Sequence, residues 1–230
     1  METWFILALR FQSLKLWNRN ARMERLKPEH TYHVFNRANG SEKIFITNEH
    51  CRYFLYLYHK HIRPIAHTYA FCLMPNHFHF LVKIKTQDEI LEAYQILKHE
   101  KAGKKLPKFK GYENYLSKQF SNLFSAYTQA FNKDQNRMGS LFIKNFKRKV
   151  VLDDVYLLRL VQYIHRNPLV AGLCQKLEDW EYSSFEVLLL QNQKFKFLDI
   201  HTPVSWYHNT LNFRMAHFKD IELEFELDIA

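Results

Sequence analysis

The chain has 230 residues, with 33 Lys and Arg against 23 Asp and Glu, a formal net charge of +10, 47% hydrophobic residues and 16% aromatic ones. That apolar content builds a core and argues against a disordered chain, and the length suits one domain with extensions. The cationic excess favours a polyanion such as nucleic acid, while three dispersed cysteines, Cys51, Cys72 and Cys174, argue against a disulfide framework or a structural zinc knot.

Thr3–Leu9 is apolar but short, has no basic run before it and is followed by Arg10, so it makes a poor signal peptide. A cytoplasmic protein with no membrane partner is expected. Met23 offers a second start before the first patterned segment, and residues 1–27 read as an N-terminal extension.

Thr31–Asn36 alternates, is rich in β-branched and aromatic residues and meets the turn signal Asn39-Gly40-Ser41, which predicts a strand. Thr47-Asn48-Glu49 can cap a helix carrying Phe54, Leu55, Tyr58 and Ile62 at helical spacing, with Pro64 as its stop. Ile65–Leu73 and His77–Lys85 are extended runs joined by Met74-Pro75-Asn76, an antiparallel hairpin. Residues 86–114 read as a basic exposed insert, with Lys98, Lys101, Lys104, Lys105, Lys108 and Lys110 around Gly103 and Pro107. Residues 115–133 return to helical periodicity through Leu116, Phe120, Leu123, Phe124, Tyr127 and Phe131. Gly139 opens Ser140–Leu152, expected as a fourth strand with an irregular, Lys-rich middle. Asp153-Asp154 starts a last helix that Pro168 is expected to end.

This β-α-β-β-α-β order predicts an α+β fold: a ferredoxin-like split βαβ antiparallel sheet with two helices on one face and the additional helix on the other. The domain is expected over residues 28–185, with 186–230 a C-terminal extension of little functional signal.

Alternation aims His77 and His79 to one side of their strand while Phe78, Phe80, Val82 and Ile84 face the other. Two neutral imidazoles converging in this way can hold a divalent ion if other ligands join them. An HxH in a strand is by itself more often a pair of ordinary histidines. On the last helix, positions 156, 160, 163 and 167 share a face, so Tyr163 and Asn167 are neighbours, with Arg159 and Arg166 near Tyr163. A tyrosine at its ordinary pKa of ~10 is a poor nucleophile, and a metal-polarised phosphate or a nearby cation improves it. Helical spacing permits Tyr163 but does not select it from 13 tyrosines.

Two strings carry a resemblance. Leu73-Met74-Pro75-Asn76-His77-Phe78-His79-Phe80-Leu81-Val82 and Tyr163-Ile164-His165-Arg166-Asn167-Pro168-Leu169-Val170-Ala171-Gly172-Leu173 resemble the single-tyrosine HUH transposases, above all the REP-associated tyrosine transposases and their insertion-sequence-200-like relatives. Gly139-Ser140-Leu141-Phe142, Phe146-Lys147-Arg148 and Asp179-Trp180-Glu181-Tyr182-Ser183-Ser184 resemble the family in the same order, so the similarity spans about Tyr32 to Ser184. The resemblance implies a cytoplasmic bacterial enzyme that binds single-stranded or hairpin DNA. It implies that His77 and His79 bind magnesium or manganese, that Asn167 can complete the metal site, and that Tyr163 attacks a phosphate to leave a 5′-phosphotyrosine and a free 3′-hydroxyl. Attack by a 3′-hydroxyl would rejoin strands. Such an enzyme can act as a monomer or as a homodimer with Tyr163 supplied in trans.

Phosphate contacts are expected from Arg37, Lys104, Lys105, Lys108, Lys147, Arg148, Lys149, Arg159 and Arg166, which would make affinity strongly salt-dependent. Two other readings stay open: a non-catalytic regulator that binds DNA or RNA hairpins, and a zinc phosphoesterase with a water nucleophile.

Overall fold

Four strands, β1 (Thr31–Arg37), β2 (Ala66–Met74), β3 (His77–Ile84) and β4 (Lys147–Val150), pair in the order β2-β3-β1-β4, each neighbouring pair antiparallel. The computed structural model describes residues 24–100 and 109–218, and all of these belong to one compact unit running from Glu24 to Phe218. The helices are α1 (Asn48–His61), α2 (Gln87–Glu100), α3 (Tyr112–Asp134) and α4 (Asp154–Val170), followed by the short α5 (Phe185–Leu189), α6 (Thr202–Ser205) and α7 (Thr210–Phe218). Strand order and helix placement make this the expected ferredoxin-like α+β fold. No helix among the described residues is long and apolar enough to cross a membrane.

The hairpin is tight because Met74 pairs directly with His77, leaving Pro75 and Asn76 as the turn. The Pro75 carbonyl accepts from Ile44 and Phe45, and the Asn76 carbonyl accepts from Ala38, so neighbouring loops hold the hairpin tip. On one sheet face an aromatic core forms: Phe80 stacks on Tyr58 of α1 at 4.1 Å, and Phe78 packs between Phe54 of α1 and Phe124 of α3. The Tyr58 hydroxyl is satisfied by Thr68 Oγ1 at 2.8 Å. The opposite face carries His77 and His79, and α4 lies against it.

Caps set the helix starts. Thr47 accepts from the backbone of His50 ahead of α1, and Asp153 accepts from Tyr156 N at 2.8 Å ahead of α4. Residues 86–114 differ from the expected exposed insert, because α2 occupies their first half. Its signal was present in Thr86-x-x-Glu89: the Thr86 Oγ1 accepts from Glu89 N and the Glu89 carboxylate accepts from Thr86 N, a capping box.

Two other expectations are corrected. The fourth strand is only Lys147–Val150, because Asn145 has positive φ and interrupts the extended run; Ser140–Phe146 instead anchors through buried Leu141 and Phe142. Pro168 does not end α4, which continues to Val170. Proline withholds only its own N–H from the ladder, and this close to the terminus the remaining turns hold. The helix stops at Gly172, whose φ of +69° supports paired closing bonds from Leu173 N to Pro168 O and from Gly172 N to Leu169 O.

Beyond α4 the chain seals the free edge of β2. Leu73 N donates to Tyr182 O, Ser184 N to Phe71 O, and Asp199 N to Thr68 O, while the Trp180 indole donates to Leu73 O. An exposed edge strand invites pairing with other chains, and these bonds remove the vacant positions. Residues 1–23, 101–108 and 219–230, which include most of the expected N-terminal extension and Lys101, Lys104, Lys105 and Lys108 of the basic insert, lie outside the described residues.

Candidate metal and tyrosine site

Register brings two strands and one helix to a single point. On the α4 side of the sheet, Arg37 lies opposite His77, Phe35 opposite His79 and His33 opposite Leu81, so the β1 residues of matching parity share the face of the histidine pair. Along β3 the two histidines are separated by about 7 Å, and along α4 Tyr163 and Asn167 by about 6 Å. A helix lying along the strand can therefore match the two pairs. Tyr163 presents its ring edge to His79 at 5.4 Å and to His33 at 6.4 Å, while Asn167 meets His77 and His79.

The rings are held from behind. His77 Nδ1 donates to Asn76 Oδ1 at 2.7 Å, which leaves Nε2 as a bare lone pair. That lone pair faces Asn167 Oδ1 at 3.2 Å. His79 Nε2 lies 3.4 Å from Asn167 Nδ2, and its Nδ1 is in contact with His33 Nε2 at 3.0 Å. Burial lowers the His77 pKa to about 4, against a weaker opposing effect of the Asn167 side-chain oxygen, which favours a proton on Nε2, and drives His79 well below its ordinary value. Both rings are neutral near neutral pH, the state in which imidazole ligates a cation.

With the His77 proton on Nδ1, two acceptors face each other at 3.2 Å, and a half-turn of the Asn167 amide, a shift of that proton to Nε2 or a cation between them removes the conflict. Adjacent ligands on an ion with ~2.1 Å bonds sit about 3 Å apart, so His77 Nε2 and Asn167 Oδ1 fit one metal ion. Among the described residues no three His, Cys, Asp or Glu side chains form a metal-holding group. The donor set here is two imidazoles and an amide oxygen, with remaining positions left to substrate and water. Such an open set can hold a divalent cation.

Tyr163 is half-buried, and burial pushes its hydroxyl up to about 12, with a hydrogen bond from the Asn167 side chain opposing the shift. The phenol is thus protonated at rest and needs local positive charge to act. Tyr156, two turns earlier on the same face, is buried and also pushed up to about 12, and its ring lies 5.1 Å beneath the Lys149 ammonium.

The expected cations divide. Lys147 and Lys149 pair with Phe35 and His33, so alternation puts them on the histidine face with Arg37. Arg148 points to the other face, where it lies over Phe146 and bonds the Glu24 carbonyl. Arg159 is exposed on the outer part of α4, whereas Arg166 reaches the His217 carbonyl in α7. Lys104, Lys105 and Lys108 fall outside the described residues.

Sequence reasoning missed three contributors. His33 was identifiable only as a strand residue of the same parity as Arg37, and the pairing offset that places it beside His79 is a tertiary fact. Asn76 was visible next to His77, without sign of its role. The third is a buried chain behind α4: Ser184 Oγ accepts from Phe71 N and donates to His165 Nε2 at 2.7 Å. His165 Nδ1 then donates to His217 Nε2 at 2.8 Å, and His217 Nδ1 donates to Phe213 O at 2.7 Å. Together these bonds tie the tyrosine helix to β2 and α7.

No family model matches the chain. A Haemophilus influenzae protein that carries the name REP-associated tyrosine transposase is 28% identical over 120 residues, covering 51% of this chain and 58% of that protein. A solved structure of a REP-associated tyrosine transposase bound to a REP hairpin superimposes with a TM-score of 0.51 at 13% identity, covering 79% of this chain and 88% of its own. The chain therefore matches a little over half the length of the curated relative, and the solved structure shares its fold. In sequence and in fold, the chain is similar to the REP-associated tyrosine transposases, the family its own motifs resemble.

Proposed function

We propose that the protein cleaves and rejoins single-stranded DNA next to a hairpin through a covalent bond to Tyr163, as an HUH endonuclease and transposase. The observation that carries this reading is the convergence of His77, His79, Asn167 and Tyr163 on one point within a single chain. Because the chain's own tyrosine reaches the histidines, the site needs no second copy, and a monomer acting in cis is the simplest form. His77, His79 and Asn167 would hold magnesium or manganese, which supplies Lewis-acid polarisation of the scissile phosphate when bound.

The residues' own tasks follow from their placement. Arg37, Lys147 and Lys149 draw the phosphate backbone across the histidine face. Asn167 and burial hold the Tyr163 ring in place, so little motion is needed to reach a phosphorus atom. The phenolic oxygen forms a bond to phosphorus as the bond to the 3′ oxygen breaks, and the phenolic proton is balanced by protonation of the departing 3′-hydroxyl. One phosphodiester replaces another, so the reverse attack rejoins strands without ATP. The likeness to a hairpin-bound relative supports a hairpin as the recognised element.

The test is incubation with a labelled single strand carrying a hairpin, in magnesium or manganese, followed by denaturing electrophoresis. A protein-linked DNA band that disappears in Tyr163→Phe, while hairpin binding persists, supports the proposal. Undiminished cleavage by Tyr163→Phe refutes the nucleophile assignment. Hairpin binding that is indifferent to EDTA, with no cleavage in any divalent metal, favours the non-catalytic regulator.

A further inference from the structure

His33 is fully buried beneath the site and touches His79 ring to ring, with Nε2 at 3.0 Å from His79 Nδ1. Its other nitrogen, Nδ1, is buried and has no hydrogen-bond partner among the described residues. A neutral imidazole has one donor and one acceptor, so the single proton in the His33–His79 contact fixes the tautomer of both rings.

Two arrangements are possible. With the proton on His33 Nε2, His33 Nδ1 is a bare lone pair, and His79 carries its own proton on Nε2, facing the site. A half-turn of the Asn167 amide then lets its oxygen accept from His79 and its NH2 donate to His77 Nε2, so every donor is matched. With the proton on His79 Nδ1, the His79 Nε2 lone pair is free for a cation, but the His33 proton moves to Nδ1. There it is a buried N–H without an acceptor, and a stranded donor costs more than a stranded acceptor.

We propose that His33 is a positioning residue for His79, and that their hydrogen bond reverses direction when the site takes up a divalent cation. The inference rests on reading His77, His79 and Asn167 as the ligands. The reversal neither takes up nor releases a net proton: each ring keeps one proton, exchanged from its Nε2 to its Nδ1. The matched arrangement holds the apo site closed to cations by blocking His79 Nε2, and a cation compensates for the stranded N–H of His33. The protein thereby trades metal affinity for a defined apo state, through a residue that touches neither metal nor DNA.

The experiment is long-range proton–nitrogen NMR on histidine-labelled full-length protein, first in EDTA and then in Mg2+, with His165 and His217 as internal references. In EDTA both His33 and His79 are expected as Nε2–H tautomers by about 10:1 or more, the equilibrium effect of one stranded buried N–H. In Mg2+ both are expected to convert to Nδ1–H. In His33→Phe the His79 preference in EDTA should fall at least about tenfold. A His79 Nδ1–H tautomer in EDTA overturns the proposal, as does an unchanged His79 preference in His33→Phe. So does a His79 tautomer unmoved by Mg2+ while the His77 signals respond. Silence of both His77 and His79 towards Mg2+ and Mn2+ instead overturns the cation reading and the reversal with it, leaving the EDTA spectrum to decide the direction of the resting bond.

Discussion

Mild acid should destabilise this protein without any change of sequence. His33 and His217 are 0% and 1% exposed, and burial lowers their pKa values from 6.5 to about 3 and about 4. Below 6.5 the unfolded chain takes up a proton on each ring that the folded protein refuses, so their contribution to stability is complete above that value and is lost as pH falls towards the folded values. Linkage gives a loss of ~2 kcal/mol per ring between about pH 7 and about pH 5, hence ~4 kcal/mol for the two. Against a typical total of ~5–15 kcal/mol this is a large share. His79 and His165, also driven well below their ordinary values by burial, act in the same direction. The window lies above the range where carboxylates titrate, which isolates the histidines. Urea unfolding followed by tryptophan fluorescence in EDTA, repeated from about pH 8 to about pH 5, measures the effect. His217→Phe removes one titrating ring and should flatten the curve, starting from lower stability because His165 Nδ1 loses its acceptor. A wild-type loss of less than ~1 kcal/mol between about pH 7 and about pH 5 would refute the claim that these rings stay neutral in the fold.

Two further outcomes test the placement of charges and the end of the tyrosine helix. Replacing Lys147 and Lys149 by alanine should weaken hairpin DNA binding and reduce the salt slope of the binding constant by ~1.4–1.8, whereas Arg148→Ala should leave that slope unchanged and lower the urea midpoint. Equal salt slopes for the three sites would contradict the division of β4 between two faces. Gly172→Ala meets no atom within 4 Å but places a side chain at φ +69°, so it should destabilise by ~1 kcal/mol in urea unfolding, and an unchanged midpoint would refute the left-handed stop.

Much of the architecture was written in local pattern. Alternation alone separates Phe78 and Phe80 from His77 and His79, because a strand has a period of two wherever it lies. Helical spacing likewise makes Tyr163 and Asn167 neighbours before any tertiary contact is known. Local pattern was misread where a signal was overlooked or overruled: the Thr86–Glu89 capping box starts a helix inside an apparently basic loop, and Pro168 is tolerated because Gly172 supplies the real stop.

By itself the sequence determined which residues share a face of each element, and so which pairs were available for chemistry. The tertiary structure decided which faces meet. The offset of β1 against β3 sets Phe35 opposite His79 and His33 on the diagonal, where its Nε2 reaches His79 Nδ1. The seat of α4 puts Tyr163 and Asn167, and not Arg166, over the histidines. The reason is physical: periodicity is a property of a few consecutive residues, whereas register and docking are fixed by packing between segments as far apart as His77 and Asn167, and one chain's spacing carries no record of that choice.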